Sequence, residues 1–225
     1  PAERADKPEL RIMADGLKMI VNLRGASGAG KTTTAYQLLK AFPNEALYVP
    51  TYKLHSDGVI REDGKPRAPR AFRLPGDLYV IGRYTGAACS GCDGWKPAVV
   101  DKTVRYYADR GHVFFESLIM SSSKGPWLRF SEDYPGQLVF AYLDTDADTC
   151  IEQVYKRNGG KPINEYDLRS HWRSIQSQRA RLADAGERTV TITRNAALEE
   201  LVQLFRSGGW NPEASTFFDD EELPF

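Results

Sequence analysis

A three-layer α/β sandwich, with helices on both faces of a mostly parallel sheet, is the fold this sequence predicts. Three observations carry the prediction. Short apolar runs of strand character alternate along the chain with amphipathic helical patterns. The 225 residues, 41% hydrophobic and 27% charged, suffice for one substantial core. A glycine-rich loop stands between the first strand-like run and the first helical one.

That first run is KMIVNL, residues 18–23. It leads into GASGAGKT, residues 25–32, with the spacing G-x-x-x-x-G-K-T, after which Ala35, Leu38 and Leu39 mark a helix. Glycines there let backbone N–H groups turn inward, and the positive end of the helix dipole points at the same spot, so the loop suits anionic oxygens. Gly25, Ser27, Gly28, Ala29, Gly30, Lys31, Thr32 and Thr33 are the expected cradle for ATP. Lys31 is expected to reach the β- and γ-phosphates, and the Thr32 hydroxyl to join a Mg²⁺ shell. The fold class narrows to a P-loop NTPase three-layer sandwich.

A second strand is expected in EALYVP, residues 45–50. Residues 53–76 read as a basic loop or hairpin insertion: Lys53, Arg61, Lys65, Arg67, Arg70 and Arg73 outnumber Asp57, Glu62 and Asp63, and an EDGK turn signal sits among glycines and prolines. The insertion either lies along a nucleic-acid backbone or is a solvated excursion. A formal net charge of zero argues against a strong nonspecific grip on nucleic acid, yet the last seven residues, DDEELPF, hold four of the acids and leave the rest with a surplus of four bases.

The run DLYVIGRY, residues 77–84, delivers Arg83 and Tyr84 to the carboxyl edge of a strand, where ligands sit in such sheets. Small residues then carry the chain through CSGC to Asp93 and Trp95, ahead of a helix over 96–110 that opens near Pro97. One acid and two aromatics in tight backbone suit a pocket for a planar acceptor, with Asp93 as general base, Glu116 and Asp57 as rivals for that role, and Arg83, Tyr84 and Trp95 as substrate-binding residues. Alternatively, Asp93 caps the helix and the aromatics belong to the core. The CSGC spacing resembles half a metal site that His55 and His112 would have to complete; no second ligand pair follows, and Cys89, Cys92 and Cys150 read as reduced thiols.

HVFFESLI, residues 112–119, places Glu116 at a strand end as a Walker B-type acid. Beside the phosphate loop it would hold Mg²⁺, directly or through water, or accept a proton from an attacking hydroxyl; otherwise it is a capping or salt-bridging residue. The cluster Ser121 to Ser123 reads as loop. After a strand in QLVFAYLD, residues 137–144, helices over 147–157 and 165–186 frame a lid region, 155–182. Arg157 precedes a glycine pair, and Arg169, Arg173, Arg179 and Arg181 follow. Such arginines neutralise a phosphoryl group in transfer and exclude water on closure, and Arg157 is the preferred catalytic one. A strand in RTVTIT, residues 188–193, and a helix over 196–207 complete the pattern.

The phosphate loop, GRY followed by CSGCDGW, VFFES and the arginine-bearing lid together resemble the bacteriophage P-loop kinases, most closely the 5-hydroxymethyluracil DNA kinases, over roughly residues 19–195. Where that family commonly shows paired glycines before the acid, this chain has SGCD. The resemblance implies transfer of the γ-phosphate of ATP, with Mg²⁺, to the hydroxymethyl group of a modified pyrimidine in phage DNA, a step of DNA hypermodification. It assigns Lys31 and Thr32 the phosphate and metal roles and makes Asp93 and Glu116 the acids to test. A kinase of free nucleosides, nucleotides or polynucleotide 5′ ends is the alternative, and a non-transferring ATPase or DNA-binding module a second.

Residues 1–208 are expected to form one kinase domain and 209–225 an acidic tail. The ending FFDDEELPF resembles the tail tip with which bacterial single-stranded DNA-binding proteins recruit enzymes, which implies a protein partner; the tail otherwise packs on its own domain or competes with DNA. Without a long apolar run or a signal-peptide core, a cytoplasmic protein with no membrane partner is expected.

Overall fold

In the computed structural model, which describes residues 18–48, 52–62, 68–85, 90–117 and 125–213, the strands are β1 (Ile20–Arg24), β2 (Glu45–Leu47), β3 (Tyr52–Leu54), β4 (Ile60–Glu62), β5 (Ala71–Leu74), β6 (Leu78–Ile81), β7 (His112–Glu116), β8 (Leu138–Asp144) and β9 (Thr189–Thr193). Seven of them form one sheet in the order β2-β5-β6-β7-β1-β8-β9. From β6 to β9 every neighbouring pair is parallel, while β5 runs antiparallel to both β6 and β2. Burial follows this order. β1, β6 and β7 are buried along their whole length, as expected of strands covered on both faces, and β2 at the edge is mostly exposed.

The helices are α1 (Lys31–Ala41), α2 (Pro97–Ala108), α3 (Gly125–Asp133), α4 (Ala147–Arg157), α5 (Glu165–Asp184) and α6 (Ala197–Ser207). Local chemistry starts several of them. Pro97 opens α2, where its missing N–H costs nothing. Asp146 caps α4 by accepting from the Thr149 N–H at 2.8 Å, and Asn164 caps α5 by accepting from the Asp167 N–H at 3.3 Å. Leu201 and Phe205 bury one side of α6, and Trp210 follows them into the core, its ring edge-on to Phe42 and its Nε1 donating to Pro75 O at 2.7 Å.

β3 and β4 form a separate two-stranded hairpin, a unit too small to be stable alone. It docks on α2: the Lys102 ammonium lies 4.9 Å from the centre of the Tyr52 ring and donates to Ile60 O at 3.4 Å. The hairpin turns at His55–Val59, where the Asp57 carboxylate accepts from the Val59 N–H and from Arg61, not at the EDGK signal, most of which lies outside the described residues. The stretch read as an insertion also contains a strand of the main sheet, since Ala71–Leu74 pairs with β6. α3 is a further element the sequence pattern did not suggest.

His112, the first residue of β7, is a buried structural group. Its Nδ1 accepts from the Met19 N–H at 2.9 Å, and burial pushes its imidazole pKa below the ordinary value. Cys92 is likewise buried, its thiol donating to Ile81 O at 3.5 Å. Among the described residues no three His, Cys, Asp or Glu side chains gather as a metal site; Cys89 lies outside them, as do Ser121 to Ser123 and the DDEELPF ending. No helix among the described residues is long and apolar enough to cross a membrane.

Candidate active site

Parallel sheets present ligands at their carboxyl edge, and there β1 runs directly into the phosphate loop. Gly28 sits in the left-handed region, φ 83°, and a β-carbon on it would come within 2.2 Å of the Cys150 carbonyl oxygen, so only glycine fits between loop and α4. α1 begins at Lys31, which is buried and folds back to donate to Gly25 O at 2.9 Å and Ala26 O at 3.1 Å. Burial lowers the Lys31 pKa, and the Glu116 and Asp93 carboxylates oppose that shift. Ala29 is buried and its carbonyl accepts from the Thr145 hydroxyl at 3.1 Å, whereas Thr33 is exposed.

β7 lies beside β1 with Glu116 opposite Leu23. Glu116 is fully buried, and its Oε1 accepts from the Thr32 hydroxyl at 2.9 Å while Oε2 has no hydrogen-bond partner among the described residues. Burial raises the Glu116 pKa, against the pull of Lys31 and the Thr32 bond. The Thr32 hydroxyl and the unpartnered carboxylate oxygen are hard oxygen donors of the kind Mg²⁺ takes.

The loop carrying Asp93 presses on this carboxylate. Gly91, φ 52°, is so close that a β-carbon would fall 2.2 Å from Glu116 Oε1, and the Cys92 N–H donates to Glu116 O at 3.0 Å. Arg83 holds the loop from its other end, donating through Nη2 to Asp93 O at 3.0 Å and Ser90 Oγ at 3.2 Å. The Asp93 carboxylate accepts from the Ser117 hydroxyl at 2.7 Å. Lys31, Thr32, Glu116 and Asp93 are thus brought together. Tyr84 sits in the core, 4% exposed, edge-on to Tyr36, with its hydroxyl donating to Ile81 O at 3.4 Å. Trp95 is 8% exposed and lines a cavity beside the loop. Asp57, at the hairpin tip with Arg61, is not part of this cluster.

On the β8 side of the loop, Arg157 ends α4 and donates through Nη2 to Ser27 Oγ at 3.1 Å. Two other arginines of the lid region are engaged within the fold: Arg169 pairs with Asp148 at 2.6 Å, and Arg179 donates to Thr191 Oγ1 at 2.5 Å. α5 is anchored by Trp172, whose Nε1 donates to Thr145 O at 2.8 Å. Ser117, Thr145 and Arg194, whose Nε would lie 3.9 Å from a β-carbon on Gly30, were not singled out from sequence. Ser117 and Thr145 directly follow strand ends, the position that had drawn notice to Glu116.

The family model for 5-hmdU DNA kinase matches residues 77–194. The 5-hmdU DNA kinase of Pseudomonas phage M6 is 31% identical over 197 residues, 84% of this chain and 98% of that protein. The chain belongs to the 5-hmdU DNA kinase family. A second 5-hmdU DNA kinase, from Pseudomonas phage PaMx11, is 25% identical over 84% of this chain and 97% of its own length. Among solved structures, a gluconokinase from Sinorhizobium meliloti 1021 overlaps 85% of this chain and 91% of its own at TM-score 0.45 and 17% identity. Family membership makes the chain a phosphotransferase, the enzyme class that the phosphate loop together with GRY, CSGCDGW, VFFES and the arginine-bearing lid had implied by resemblance. The matched span begins after the loop and includes Asp93, Glu116 and Arg157.

Proposed function

We propose that this 5-hmdU DNA kinase family member transfers the γ-phosphate of ATP to the hydroxymethyl group of 5-hydroxymethyluracil in DNA, in the cytoplasm of a phage-infected cell. The observation that carries the reading is the junction where Thr32, Glu116 and the Asp93 loop meet at the mouth of the phosphate loop. Phosphoryl transfer needs positioning and charge neutralisation more than covalent help from the protein. The backbone of Gly25 to Thr33 binds the triphosphate, and Lys31 exchanges its carbonyl partners for phosphate oxygens. Thr32 and Glu116 would hold Mg²⁺, which supplies charge neutralisation on the phosphates. Asp93, oriented by Ser117, takes the proton of the acceptor hydroxyl, and Arg157 faces the charge that spreads over the transferring group.

The test offers γ-³²P-ATP with four acceptors side by side: 5-hydroxymethyluracil DNA, thymine DNA, free nucleosides and 5′-hydroxyl DNA ends. Label in the first alone is the expected result. Label in nucleosides or 5′ ends instead would reassign the acceptor, and ATP hydrolysis with no labelled product would remove the transfer step.

A further inference from the structure

Between the β3–β4 hairpin and the start of α2 lies a cavity of about 330 Å³. Its walls include Tyr52, Trp95 and Val99, its polar lining includes Lys53, Arg70 and Lys96, and among the described residues no carboxylate lines it. The volume falls in the range of small-ligand pockets, roughly 300–1,000 Å³. Both aromatic walls are held by cations: the Arg70 guanidinium is 5.0 Å from the Trp95 ring centre, and the Lys102 ammonium holds Tyr52 against α2. Gly94 and Trp95 line the cavity and directly follow Asp93, so it opens beside the proposed base.

Resting on the function proposed above, we infer that this cavity receives the acceptor pyrimidine swung out of the DNA stack, with the aromatic walls against the base and the cationic lining against its flanking phosphates. A cavity of this size admits a base but not a duplex, and aromatic walls beside the cations Lys53, Arg70 and Lys96 match a nucleobase joined to phosphodiesters. The sheet order argues against the adenine of ATP as occupant. β6 and β7, with the cavity, stand on one side of β1, while β8 and β9 stand on the other, where Arg157 and Arg194 flank the phosphate loop. In-line transfer sets the attacking and leaving oxygens on opposite sides of phosphorus, so donor and acceptor occupy opposite sides of the loop.

Steady-state phosphorylation by the full chain tests this on duplexes carrying 5-hydroxymethyluracil opposite adenine or opposite an abasic site. Flipping predicts a higher kcat/KM on the abasic duplex, since less pairing is lost. Tyr52→Ala should lower kcat/KM for DNA about 10- to 100-fold with the KM for ATP unchanged, and Tyr52→Phe should stay near wild type. Equal rates on the two duplexes together with an indifferent Tyr52→Ala would overturn the pocket and leave the DNA kinase standing. A Tyr52→Ala defect confined to the KM for ATP would also overturn it, by making this the donor's site. If wild type labels no DNA, the acceptor assignment falls and the pocket with it.

Discussion

The phosphate loop and the proposed acceptor side of the cleft both hold polar groups in fixed places, and they do so by different means. The loop is one contiguous segment, fixed by its own backbone and by α1, with Lys31 buried inside it. The acceptor side is gathered from separated segments: Tyr52 on a hairpin, Arg70 ahead of β5, Asp93 and Trp95 on a loop, Ser117 after β7. Its geometry rests on side-chain contacts such as Arg83 to Asp93 O and Ser117 to the Asp93 carboxylate. A contiguous site keeps its shape largely through its own main chain, with Cys150, Thr145 and Arg157 as outer contacts, whereas a composite site depends on each of its side-chain supports.

That contrast is broken most severely at Lys31. Lys31→Ala should lower transfer on the order of 10³-fold while the far-ultraviolet circular dichroism stays native, because the ammonium bonds loop carbonyls and not the core. Asp93→Asn should reduce kcat on the order of 10²-fold at unchanged KM for ATP, separating acceptor chemistry from donor binding. Near wild-type turnover in that variant would pass the role of base to Glu116. Ser117→Ala should cost about 10-fold in kcat, as expected when a positioning hydrogen bond is lost and the reacting group stays.

The smallest effect lies away from both sides, at His112. Burial holds the folded-state pKa of its imidazole below the ordinary 6.5. The unfolded chain therefore binds this proton more readily, so the contribution of neutral His112 to stability is complete above pH 6.5 and fades as the pH drops through the folded value. The melting temperature of wild type should fall more steeply than that of His112→Gln as the pH is lowered from 7 through 5.5. Parallel curves would remove His112 as the titrating group.

The same contrast governs what the sequence made legible. The phosphate loop was readable because its function depends on spacing within eight residues, between an apolar run and an amphipathic one. The place of Glu116 beside the loop was readable because Val113, Phe114 and Phe115 lead to an abrupt acid at the strand end. β5 escaped notice because AFRL has four residues and lies between prolines, so pairing with β6, not local pattern, makes it a strand. α3 follows a serine cluster and opens with Gly125-Pro126, a helix-start signal that reads equally as a turn. The DG at Asp57-Gly58 was not singled out as a turn, and the pairing of Tyr52–Leu54 with Ile60–Glu62 is what places the hairpin turn there. Tyr84 shows the reverse case: at a strand end it promised a stacking surface, and packing on Tyr36 and Phe72 claimed it for the core. Of the cavity only the Trp95 wall was expected from sequence; the hairpin wall has no linear signature, since the hairpin and α2 meet only after folding.

Trp172 bonds the carbonyl of Thr145, and the hydroxyl of that same residue bonds Ala29 inside the phosphate loop. The long arginine-bearing helix is therefore joined to the phosphate loop through both polar ends of one residue. Arg169 and Arg179 tie the same helix to Asp148 and Thr191, so of these three anchors one ends on the main chain of the loop itself.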